Sequence, residues 1–126
     1  MAPIPSSPFK SRSGWRRIVC ALDYSLRGLH AAFVHEAAFR QELLAAVLLA
    51  PLAFVIGQSP REILLLLGVL VLVLIVELLN SAVETLCDTV TIEHHPLIGR
   101  AKDIGSAAVL LSIGLATAVW LTVWLT

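Results

Sequence analysis

Residues Ile63 to Asp88 constrain this chain more than any other stretch. An apolar run, Ile63 to Val76, passes without a turn signal into Glu77, Asn80, Ser81, Glu84 and Asp88. At about 100° per residue these five side chains fall on one stripe of a single helix, roughly 100° wide. The apolar run alone climbs about 21 Å at about 1.5 Å per residue, whereas a bilayer core is about 30 Å thick. A crossing helix must therefore continue to about Val83, and Glu77 then lies inside the membrane. A central carboxylate costs about 2.5 to 3.5 kcal/mol there, a penalty tolerated where the group faces a protein interior and has a task.

Composition supports that setting. The chain has 126 residues, one domain by length, and is 58% hydrophobic with a mean hydropathy of +0.88, which marks a membrane protein. Three spans fit, at residues 42–57, 62–88 and 104–125, and no alternating strand pattern competes with them. Helices satisfy their own backbone in lipid, so the expected class is an all-α membrane protein. The formal charge of zero gives no reason to expect a nucleic-acid partner, yet the charges are lopsided. Lys10, Arg12, Arg16, Arg17, Arg27, Arg40, Arg100 and Lys102 flank the start of span one or join spans two and three; Arg61 alone sits in the first turn. The positive-inside rule then sets the N-terminus and the second loop in the cytoplasm and the C-terminus outside. Cys20 and Cys87 fall on the cytoplasmic side without metal-ligand spacing and read as packing residues.

Prolines, serines and basic residues make 1–14 a mobile cytoplasmic tail, followed by a single domain over 15–126. From Trp15 the apolar residues Ile18, Val19, Leu22, Leu26, Leu29 and Phe33 recur at spacings of three and four, opposite Arg16, Arg17, Asp23, Arg27 and His30. This predicts an amphipathic helix over about residues 15–39 lying in the headgroup plane. Pro51 should bend span one, a short turn at Gly57 to Pro60 joins spans one and two, and Thr91 to Arg100 forms a cytoplasmic hairpin. Trp120 and Trp124 suit an interfacial aromatic belt, and Gly99, Gly105 and Ala107 suit close helix packing. His94 and His95, neighbours on a short loop, make a poor chelating pair.

The unusual polar residues share one depth: Glu36, Arg40, Gln41 and Glu42 before span one, the stripe on span two, and Lys102 with Asp103 at the start of span three. Carboxylates on separate elements suit magnesium, which takes oxygen ligands and keeps waters and substrate phosphates. A lysine complements a phosphate oxygen, and a carboxylate at low dielectric can take a proton from an alcohol. Metal, lysine and base together describe phosphoryl transfer to a lipid alcohol. Neither GxxxxGK[ST] nor GxGxxG is present, however, and a proton-coupled transporter, a small channel or an oligomer glued by the stripe would use the same residues. Glu42 and Glu93 read more simply as solvated interfacial charges.

Three runs separate these readings: EAAFRQE at Glu36 to Glu42, VELLNSAVETLCD at Val76 to Asp88, and GRAKDIGSAAVLL at Gly99 to Leu111. In order and layout they closely resemble the bacterial integral-membrane diacylglycerol kinases, over nearly everything from Trp15 to Leu125. The resemblance implies an inner-membrane homotrimer with active sites shared between subunits, moving the γ-phosphate of Mg-ATP to diacylglycerol. It implies Glu77 as general base toward the lipid hydroxyl, Asn80 as the residue orienting the reacting groups, and Glu36 and Glu84 as Mg2+ ligands. Lys102, Asp103, Asp88, Arg17 and Tyr24 would then lie on the ATP side, and Ser106, Arg40 and Gln41 on the lipid side. Leu26, where an aromatic is common, and Thr89, where a basic residue often follows the acid, depart from the family pattern. Related undecaprenol kinases share the ELLN and KD runs, so that lipid is the alternative acceptor; outside the class stands a small proton-coupled transporter.

Overall fold

A computed structural model describes residues 14–90 and 95–126, so the expected mobile tail, Glu93 and His94 lie outside the described residues. Four helices occur in order: α1 (Trp15–His35), α2 (Ala37–Ile56), α3 (Pro60–Val90) and α4 (Pro96–Leu125). The chain forms two compact units, Met1–His35 and Glu36–Thr126. Helices α2, α3 and α4 are each long and apolar enough to cross a membrane.

The first unit contains α1. It starts after Gly14, whose φ of +63° suits a residue without a side chain. Asp23 and Arg27 pair at 3.1 Å one turn apart, and the Arg27 guanidinium stands 5.7 Å from the Tyr24 ring centre. Trp15, Ile18, Leu22, Leu26, Leu29 and Phe33 are all exposed.

The expected helix over 15–39 is divided differently. Glu36 leaves the helical path with φ −113° and ψ 106°, extended values, and α2 opens directly behind it at Ala37. Ala37, Ala38, Phe39, Arg40 and Gln41 thus belong to the first long span rather than to the surface helix or a connector. Glu36 itself becomes the N-cap of that span, without a side-chain capping bond. Pro51 sits inside α2, which runs through it as one helix.

In the second unit α4 and α2 each pack against α3. The turn between α2 and α3 is tight for a visible reason: a Cβ on Gly57 would stand 2.6 Å from Ile63 Cγ1 and 2.8 Å from the Ala53 carbonyl oxygen. Ser59 and Glu62 then start α3 with a reciprocal cap. The Glu62 amide donates to Ser59 Oγ at 3.2 Å, and the Glu62 carboxylate accepts from the Gln58 amide at 2.6 Å. Pro60 occupies the first helical position, where its missing N–H costs nothing.

Helix α4 also starts earlier than the expected residue 104. Pro96 stands at its first turn, and His95 caps it by accepting the Leu97 amide on Nδ1 at 3.2 Å. A proline that suggested a hairpin is therefore a helix-start signal. Where α3 and α4 meet, Val69, Val73 and Ala116 form a small core flanked by Val119 and Trp120, and the Trp120 indole donates to the Leu66 carbonyl at 3.2 Å. Leu64, Val71, Leu110 and Leu111 stay exposed, an outer surface suited to lipid or to neighbouring helices.

Candidate active site

Helix α3 carries the site because its sequence changes character midway while its backbone does not. Glu77 lies about 26 Å along the axis from Pro60, and Asp88 about 16 Å farther. Between them Glu77, Asn80 and Ser81 are buried, at 4%, 8% and 7% exposure, in a helix whose outward side chains, such as Leu79 and Leu86, are exposed. The first part of the expected polar stripe thus faces inward, while Glu84 is half-buried and Asp88 is exposed. Among the described residues its groups are incompletely partnered: Asn80 Nδ2 donates to Glu84 Oε1 at 3.4 Å, but Asn80 Oδ1 and Ser81 Oγ are buried with no hydrogen-bond partner. Buried polar atoms are normally paired, so these two stand out within α3.

Helix α4 closes one side. Lys102 Nζ reaches across to Asp88 Oδ1 at 2.7 Å, and one turn farther Gly105 lies against Asn80 so closely that a Cβ there would overlap Asn80 Oδ1. Helix α2 closes another. Glu84 lies two turns beyond Glu77 on α3, and Glu36 and Glu42 lie at the N-cap and in the second turn of α2. Glu42 corrects an expectation. It is half-buried with Oε2 shielded and unpartnered, and with Gln41 it lines a groove that continues over Ala45, Leu49, Val73 and Trp120. A charge read as solvated belongs to the acidic cluster instead, because α2 begins five residues before it and carries it onto α3. The local signal was an acid immediately preceding an apolar run, the same signature that singled out Glu77 at the end of one.

The other candidates are placed less centrally. Arg40, Asp103 and Ser106 are exposed, and Arg17 and Tyr24 lie on α1, in the first unit. For a metal the donor set is telling: the cluster consists of carboxylate and amide oxygens, the ligands of a hard cation. Among the described residues no three metal-binding side chains gather into a cage. These residues fit Mg2+, which is commonly held by one or two carboxylates with phosphate oxygens completing its shell.

The chain was compared with known proteins. Residues 23–124 match the family model described as prokaryotic diacylglycerol kinase. The diacylglycerol kinase of Pseudomonas aeruginosa is 50% identical over 119 residues, covering 94% of this chain and 97% of that protein. Those of Escherichia coli and Haemophilus influenzae are 46% and 44% identical over 108 residues, covering 86% of this chain and 88% and 92% of theirs. The match takes in α2, α3 and α4 up to Trp124 with every acidic residue of the cluster, so this chain belongs to the prokaryotic diacylglycerol kinase family.

Proposed function

We propose that this protein is a membrane-embedded diacylglycerol kinase, transferring the γ-phosphate of ATP to the primary hydroxyl of diacylglycerol and yielding phosphatidate. The observation that carries the reading is the inward face of α3, where buried Glu77 sits beside polar atoms that have no partner among the described residues. A soluble nucleotide fold is not needed for such chemistry, which depends on positioning and charge neutralisation.

Glu77 accepts the proton of the lipid hydroxyl as its oxygen bonds to the γ-phosphorus. The bond from that phosphorus to the β,γ-bridging oxygen breaks, and ADP leaves. Glu36 and Glu84 would hold Mg2+, which would supply charge neutralisation at the phosphates. Asn80 orients Glu84 through its amide. Lys102 exchanges its contact with Asp88 for phosphate oxygens, and Asp88 and Asp103 remain at the nucleotide's edge. Arg40, Gln41 and Ser106 contact the lipid headgroup, where the groove beginning at Gln41 and Glu42 offers acyl chains an apolar path.

In this reading α2, α3 and α4 cross the inner membrane with the N-terminus cytoplasmic and the C-terminus periplasmic, supported by the placement of the basic residues. Helix α1 rests in the headgroup plane on its exposed Trp15, Ile18, Leu22 and Phe33. The exposed apolar sides of α3 and α4 support a homotrimer whose neighbours complete one another's sites.

The test is reconstitution into vesicles with γ-labelled Mg-ATP, with diacylglycerol and undecaprenol offered in parallel. Label in phosphatidate is expected. Label in undecaprenyl phosphate alone would change the acceptor, and unlabelled lipid in both arms would reject the kinase. For shared sites, mixing Glu77→Gln with Glu36→Gln subunits should restore part of the activity; no recovery under demonstrated exchange would leave each site within one subunit.

A further inference from the structure

Gly105 does more than let two helices approach. It stands three residues beyond Lys102 on α4, so both look onto the same face of α3, Lys102 toward Asp88 and Gly105 toward Asn80. Other helical glycines differ: a Cβ on Gly68, Gly99 or Gly114 would meet nothing within 4 Å. On Gly105 it would overlap Asn80 Oδ1, an atom that is buried and has no hydrogen-bond partner among the described residues. The opposite end of the same amide, Nδ2, donates to Glu84 Oε1 at 3.4 Å. A carboxylate accepts only from the NH2 end, so the Glu84 bond fixes which end of the amide faces α4.

From this juxtaposition we infer that Gly105 is a positioning residue: its missing side chain forms the seat for Asn80 Oδ1, and the seated amide holds Glu84 in its metal-binding posture. The inference rests on the kinase reading for the role of Glu84, but the seat itself is a matter of packing. A side chain at 105 must swing the amide out of its rotamer, which takes Nδ2 away from Glu84, or lift α4 from α3, which removes the seat of Oδ1 while the Asn80–Glu84 bond stays within α3. Asn80 is itself buried, as are Glu77 and Ser81 beside it on the stripe, so a displaced amide stays among buried groups.

The experiment is a double-mutant cycle of Gly105→Ala with Asn80→Ala on the full-length protein, with Gly114→Ala as control. Three quantities are read: the thermal midpoint, the dissociation constant of Mn2+ measured by electron paramagnetic resonance without nucleotide or lipid, and kcat. Gly105→Ala should lower the midpoint, weaken Mn2+ binding and lower kcat about tenfold to a hundredfold, the size of an ångström-scale misplacement. Adding Asn80→Ala should restore the midpoint, because the clash is gone. It should leave Mn2+ affinity and kcat no worse than Asn80→Ala alone, the non-additivity expected of two residues acting as one.

Additive losses in the cycle, Mn2+ affinity unchanged by Gly105→Ala, or an equal loss from Gly114→Ala would each overturn the assignment and leave Gly105 an ordinary packing position. The wild-type control separates the two claims. If wild-type protein fails to phosphorylate lipid, the kinase reading falls while the midpoint cycle still decides whether Asn80 is seated on Gly105. If wild type works and Mn2+ binding is indifferent to residue 105, only the positioning role falls.

Discussion

The two ends of the α3–α4 pair are built on opposite terms. Near Leu66 and Trp120 the chain consumes its own polar groups: the indole N–H goes to the Leu66 carbonyl, the Thr117, Thr122 and Thr126 hydroxyls return to helix carbonyls, and Ser59 and Glu62 close the turn. Near Glu77 and Gly105 it does not. Asn80 Oδ1 and Ser81 Oγ are buried without partners among the described residues, as is Glu42 Oε2 on α2, and Glu84 lies two turns beyond Glu77 on the same helix. A fold selected only for stability would not accumulate like charges and orphan acceptors at one level, since each raises the energy of the isolated chain. In the proposed kinase the satisfied end serves as scaffold, and the unsatisfied end as the site.

That contrast can be broken first at Glu77. Glu77→Gln keeps the shape and removes the proton acceptor, so kcat should fall by about 10²- to 10⁴-fold with the KM for ATP nearly unchanged. Steady-state kinetics check this, and a change confined to the ATP KM would mean that Glu77 serves the nucleotide instead. Lys102→Ala comes next, raising the KM for ATP roughly tenfold and more than it lowers kcat, as loss of one charge-assisted phosphate contact would. An unaltered KM would leave Lys102 as a plain partner of Asp88.

At the other end the effects should shrink to stability alone. Ser59→Ala removes the cap of α3 and should cost about 1 kcal/mol, seen as a lower unfolding midpoint with unchanged kinetics. Trp120→Phe removes the bond to the Leu66 carbonyl and should cost about 0.5 to 1.5 kcal/mol while turnover persists. A large kinetic effect from either would erase the division between scaffold and site.

Much of this division was written in local pattern. The stripe from Glu77 to Asp88 was legible because periodicity fixes which side chains share a face, and the apolar run before it fixed how far the helix extends. The joint at Glu36 was not, since the residues around it contain neither glycine nor proline and Glu36 makes no capping bond of its own. Pro96 was visible but ambiguous, a residue that fits a loop or a first helical turn equally well until His95 is seen to cap it. The burial of Glu42 and the seat that Gly105 gives Asn80 depend on which helix lies against which, information that spacing within one helix does not hold.

The cap at Ser59 and Glu62 has a consequence for how the molecule is made. Because this bend is sealed by residues within itself, α2 and α3 can enter the bilayer as a ready hairpin while the ribosome is still translating α4. Until that last helix emerges, nothing supplies Lys102 or Gly105, and the acidic stripe has one flank open to acyl chains. In the proposed kinase the α3 stripe thus gains its basic flank only when α4 joins it.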